Sequence, residues 1–414
     1  MKKTQKLKKL WYSDFYEEEE IGTAFFDYPD EIIKERGCSR ISIYRPSRPS
    51  VKFKAFLDGT MKIYRVARMM HTGSPMYVAA ISCALLERGE DRYLRNTSYS
   101  RTLNLLIFPF DRYTSYIKRK YQDSTFQREV DRLFSDFKAQ IRRTAKFLGS
   151  DMYEEHTLRE DPNAVKNAFG HSGNWILCDT SKKGLKADSR EYVKEIDLYN
   201  PHRLREAARA RARYFMGLLE FFCAYTFLEN RPNDYLMIDG LFFPYGKVSS
   251  IFGITKNQYK AVVERIIGFI KHPRDIPEEV LPELPTLSPN ECFCWTGTTA
   301  EAEETSTLPS DQTKKRDKQK FKFSLLRFRS LRKEDIPPSP VGIVKLQLSP
   351  DKDEESLRKI LEAVLYENLP WPMDRRRLYN EPYPIEVAEK VAKSFLPSEE
   401  RLTGFVYSIL TFIE

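Results

Sequence analysis

The residues in this chain best suited to chemistry are acids set among apolar neighbours. Glu220 is the only charged residue between Tyr214 and Leu228 (YFMGLLEFFCAYTFL). On a helix with a wide apolar face, such a carboxylate either lies on a narrow solvated stripe or is buried and needs a partner. A divalent cation is the best partner for a buried one. Asp239 closes a short apolar run and precedes Gly240, and Asp58 ends an alternating run before Gly59 (MIDG against FLDG). From Glu220 the helix advances about 13 Å at ~1.5 Å per residue, and the next strand returns about 16 Å at ~3.3 Å per residue, so Glu220 and Asp239 come back to one end. A lone Asp-Gly is ordinarily a turn. Two of them with a helix glutamate suggest a carboxylate cage suited to Mg²⁺ or Mn²⁺. Two such ions about 4 Å apart activate water and stabilise the leaving oxygen of a phosphodiester.

The elements that must position these acids are readable in outline. Val51 to Leu57 alternates apolar and basic residues and predicts a strand ending at Asp58-Gly59. Asn104 to Phe110 is an apolar run, followed by a long charged helix from about Tyr113 to Phe147. Pro201 opens a helix to about Glu229, Arg231 to Asp234 turns, and Tyr235 to Ile238 is a strand. Val248 to Thr255 reads as a further strand, Tyr259 to Ile270 as a helix, and Ile385 to Phe395 as a late helix. The mixture predicts an α/β fold. Its parts are an extension at 1–50, a core over 51–272 with a loop-rich insertion near 150–200, a linker at 273–320, and 321–414 completing the core.

Composition narrows the function classes. With 41% apolar and 13% aromatic residues, a wholly disordered chain is excluded. No run of ~18 apolar residues predicts a membrane span, and Glu17 to Glu20 fall where a signal peptide needs its apolar region. A soluble, cytoplasmic chain is expected. Neither a phosphate-binding Gly-x-x-x-x-Gly-Lys-Ser/Thr loop nor a nucleophile elbow is present. Cys292 and Cys294 have no nearby histidine, which argues against zinc and for a loop pair of reduced thiols. The net charge of +9 is clumped at Lys2 to Lys9, Arg203 to Arg213 and Lys314 to Lys333. Each clump alone is ordinarily solvated surface; three together favour nucleic acid.

In order and spacing these motifs resemble the NurA family, nucleases that work with the hexameric ATPase HerA in DNA end resection. The likeness rests on Phe56-Leu57-Asp58-Gly59-Thr60, on Glu220 nineteen residues before Ile238-Asp239-Gly240-Leu241, on Gly253-Ile254-Thr255-Lys256, and on Glu381-Pro382-Tyr383-Pro384 leading into Glu389. The resemblance implies an RNase H-like core, a mixed sheet flanked by helices, with carboxylates from the first strand, a helix, a middle strand and a late helix. Asp58, Glu220 and Asp239 would bind Mn²⁺ or Mg²⁺, and Lys256 would neutralise phosphate charge. The family's tyrosine and histidine in the late motif fall on Glu381 and Glu389, so Glu389 would replace the histidine as a metal ligand or as the group near the scissile phosphate, with Tyr383 a weaker substitute for the tyrosine. DNA, a HerA-like hexameric ATPase and a second copy of the chain are the implied partners. The alternatives are a nucleic-acid-binding adaptor that has lost cleavage and a guided nuclease of the Argonaute type, for which no guide-end pocket is recognisable.

Overall fold

The computed structural model describes residues 11–17, 38–43, 48–69, 71–121, 124–182, 193–271, 273, 276–288, 291–298, 319–327, 342–367 and 382–410. The first half runs β1 (Trp11–Glu17), β2 (Ser39–Ser42), β3 (Phe53–Met69), β4 (Pro75–Arg88), β5 (Leu94–Asn96), β6 (Arg101–Phe108), α1 (Phe110–Lys120), α2 (Ser124–Phe147), β7 (Met152–Glu154), α3 (Glu155–Glu160), α4 (Pro162–Gly170) and β8 (Asn174–Asp179). The second runs α5 (Pro201–Glu229), β9 (Tyr235–Asp239), α6 (Tyr245–Phe252), α7 (Lys256–Val263), β10 (Ile266–Ile270), β11 (Glu291–Thr298), β12 (Lys320–Arg327), β13 (Ile343–Leu348), α8 (Glu354–Glu367), α9 (Tyr383–Phe395) and α10 (Glu399–Leu410).

All described strands join one mixed sheet in the order β2-β11-β12-β13-β10-β9-β3-β4-β6-β8-β7, with β1 added to β3 and β5 to β4. At its centre β3, β4 and β6 are successive antiparallel strands. The chain then returns through α5 to place β9 parallel to β3 and β10 parallel to β9. Helices cover both faces. Ala55, Leu57, Leu85, Leu236 and Ile238 pack with Phe215, Leu219 and Cys223 of α5 and with α4, α6 and α7. The alternate residues face the other way, Phe56, Met237, Phe269 and Leu346 meeting α8 and Ile385 of α9. Val78, Leu106 and Trp175 meet α1, α2 and α10 on that same side. The alternation of strand side chains thus divides the core into two layers.

Several expectations are corrected. Asp58-Gly59 does not end a strand; β3 continues through it to Met69 while pairing with β4, Asp58 opposite Ala84 and Gly59 opposite Cys83. Residues 248–255 are not a strand, and the helix expected over 259–270 stops at Val263, with Ile266–Ile270 forming strand β10. Gly253 in the left-handed region (φ +64°) ends α6, and Thr255 begins α7 with a capping box to Gln258. The single charged helix is two, α1 and α2. The 150–200 segment contributes two strands to the sheet, β8 pairing parallel with β6 and β7 with β8. The proposed linker at 273–320 includes β11, and Val280, Leu284 and Leu287 ahead of it are core residues. Cys292 and Cys294 lie in that strand and are buried rather than looped out; neither is in a disulfide. In the 1–50 extension, 11–17 and 38–43 supply strands β1 and β2, which pair with β3 and β11. The basic run Lys2 to Lys9, most of Lys314 to Lys333, and Glu381 lie outside the described residues.

Candidate functional site

Four of the five residues singled out from sequence converge where β3 and β9 run side by side. Leu57 pairs with Ile238, which brings the next residues, Asp58 and Asp239, abreast in parallel strands. Asp58 is only 4% exposed although it lies mid-strand. By alternation it faces the same side as Phe56, the side covered by α9. Asp239 shares that side with Met237, at the end of β9. The chain leaves β9 through Gly240 (φ +85°), whose N–H donates to the Phe269 carbonyl at 2.7 Å. Gly268 must also be bare, because a Cβ there would lie 2.6 Å from the Gly240 carbonyl oxygen. The Gln347 amide fixes the next step by accepting from the Phe242 N–H at 3.0 Å.

Glu220 approaches from the opposite face, on α5. This 29-residue helix is started as the sequence predicts, with Pro201 in the first turn and the Asn200 side chain accepting from the Arg203 N–H. Its carboxylate lies where a side chain on residue 59 would begin. A Cβ added to Gly59 would collide with Oε1 and lie 3.0 Å from Cδ. Gly59 is therefore a window in the strand that admits Glu220 beside Asp58. Burial pushes the Glu220 carboxyl up to about 8, with the negative charge of Asp239 adding to the effect. Asp58 is raised well above the ordinary range by burial and by Asp239, opposed by Lys271, with smaller raising effects of Glu220 and Glu389. Its Oδ2 is buried without a hydrogen-bond partner in the protein.

Glu389 completes the set from α9, whose first turn follows Pro382. It is not on a wholly solvated face: its side chain is 26% exposed, 2.6 Å from Lys393 and 3.9 Å from the Lys271 ammonium. Tyr383 is exposed at the start of the same helix.

The basic residues fall differently from expectation. Lys256 is exposed at the first turn of α7, and it makes no ion pair among the described residues. Lys271, one residue beyond β10, lies instead at the acids, 2.9 Å from Asp239. Sequence reasoning missed it because only the parallel pairing of β10 with β9 brings it to Asp239. Within the arginine-rich start of α5, Arg211 is fully buried, paired with Glu155 and donating to the Lys182 carbonyl at 3.2 Å. It holds α3 to α5 and is not a surface contact for phosphate. Its place in the stripe Ala207, Arg211, Phe215 was the available signal. Arg327 is likewise buried, donating to the carbonyls of Leu287 and Leu284.

The donor set is oxygen only, which suits hard divalent cations. The orphaned Asp58 oxygen and the carboxylate seated over Gly59 fit such an ion in chemistry. As they stand, no three acidic, histidine or cysteine side chains among the described residues are close enough together to grip one. Small side-chain movements and release of Lys271 from Asp239 would have to accompany binding. Among the described residues no helix is long and apolar enough to cross a membrane. No family model matches the chain, and no curated protein matches its sequence.

Proposed function

We propose that the chain is a metal-dependent nuclease that hydrolyses DNA phosphodiester bonds, with the four carboxylates as its active site. The observation that carries this is their meeting from four separate elements, β3, α5, β9 and α9, with two of them buried. A fold has little reason to bury several acids together, because each pays desolvation and mutual repulsion. The arrangement supports an RNase H-like core: a mixed central sheet with carboxylates from β3, α5, β9 and α9. Asp58, Glu220, Asp239 and Glu389 would hold Mg²⁺ or Mn²⁺. Such ions supply an activated water and charge stabilisation at the leaving oxygen. Asp58 and Asp239 are held abreast by the strand pairing, Glu220 is fixed by the Gly59 window, and Glu389 closes the site from α9. The surrounding apolar layers restrict water, which strengthens the field of each carboxylate.

The sequence has no ATPase loop, so a ring translocase of the HerA type would drive duplex DNA to the site, with a homodimer of this chain seated on it. The test is cleavage of linear duplex DNA with Mg²⁺ or Mn²⁺, abolished by EDTA and in Asp58→Asn and Asp239→Asn. Full activity in either variant refutes the site. DNA binding by the unmodified protein without any cleavage would favour the adaptor alternative.

A further inference from the structure

Lys271 has no role in the family resemblance, yet its ammonium lies between two of these acids. It is 2.9 Å from Asp239 and 3.9 Å from Glu389, with its side chain 20% exposed. Its strand is held in register, Phe269 opposite Asp239, so its backbone is anchored while the four-carbon stem can swing. The alternation that puts Phe269 on the α9 side puts Lys271 there too, with Asp58, Asp239 and Glu389. Two charges of one sign cannot both occupy the space between Asp239 and Glu389 without strong repulsion.

Resting on the nuclease reading, we propose that Lys271 is a catalytic residue with two positions: in the metal-free protein it substitutes for a divalent cation between Asp239 and Glu389, and in the loaded site it turns to a substrate phosphate. The first position neutralises acids that would otherwise repel one another. The second places a compact point charge at the open side of the site, the role expected from sequence of Lys256. The exchange also sets an order: the phosphate-binding cation becomes available once the carboxylates are occupied.

The experiment compares the unmodified chain with Lys271→Met and Lys271→Arg. Mn²⁺ binding is followed without DNA by the electron paramagnetic resonance signal of the free ion. Because Lys271 competes with the ion, Lys271→Met should bind Mn²⁺ about tenfold more tightly or better, and Lys271→Arg close to the unmodified protein. DNA affinity is then measured against salt, in EDTA and in Ca²⁺. In Ca²⁺ the slope of log affinity against log salt should fall by about one in Lys271→Met, the loss of one phosphate contact, and in EDTA it should not change. Equal Mn²⁺ affinity in the unmodified protein and Lys271→Met overturns the proposal and leaves the nuclease reading standing, as does an unchanged slope in Ca²⁺. Absence of any Mn²⁺ binding by the folded, unmodified protein overturns both.

Discussion

Glu220 gives the sharpest prediction, because its burial makes the fold itself sensitive to pH. Its carboxyl is raised from 4.5 to about 8 in the folded protein, first by burial and then by Asp239. Below about pH 4.5 the group is protonated in both folded and unfolded chains, and its contribution to stability is fully present. As pH rises, the unfolded chain releases the proton first. Stability is therefore lost progressively from about pH 4.5 until the folded carboxyl has also ionised, near pH 8. At 1.36 kcal/mol per unit the loss is at most about 5 kcal/mol, and relaxation of the surroundings as the carboxylate ionises brings the expected value to about 2–4 kcal/mol. Glu220→Gln mimics the protonated acid and removes this dependence. Urea unfolding in EDTA should give coincident stabilities for the two proteins near pH 4.5 and a gap opening in favour of Glu220→Gln up to about pH 8.5. Adding Mn²⁺ at pH 8.5 should narrow the gap, since the ion stabilises the protein that keeps all four carboxylates more than one that keeps three. Parallel stability curves across the whole range would refute the placement of a buried, proton-holding Glu220.

Gly59→Ala should displace the Glu220 carboxylate, cost about 1–3 kcal/mol in unfolding free energy as overpacking does, and reduce cleavage far more than it reduces folding. Glu389→Gln should raise the metal concentration at half-maximal cleavage, and Glu389→His should restore much of the activity with Mn²⁺; unmoved titrations would remove Glu389 from the site. Arg211→Ala should destabilise the fold by about 3–5 kcal/mol, because Glu155 is left as a buried charge without its partner. Reversing the half-buried Arg203 or Arg209 should instead flatten the salt dependence of DNA binding, about one unit of slope per lost contact.

The sequence by itself determined the local elements and part of the site. Pro201 and Asn200 start α5, and Asp239-Gly240 marks a strand end, because capping and left-handed glycine are matters of a few adjacent residues. An isolated glutamate in an apolar helix was legible for the same reason: burying it needs a partner wherever the helix packs. Residues 248–255 were not legible, since a short apolar run is compatible with either a strand or a helix and the decision lay in Gly253 and the Thr255 cap. Asp58-Gly59 shows what locality hides. The pair has the composition of a turn, but the glycine is there because a carboxylate from a helix far along the chain occupies the space beside it. Lys271 and Arg211 were decided only by tertiary structure. Parallel pairing of β9 and β10 carries one lysine to Asp239, and packing of α3 against α5 takes one arginine of a basic cluster out of water. Charge in a sequence has no fixed meaning until the fold sets its distance to the opposite charge and to solvent, and both are long-range properties of the chain.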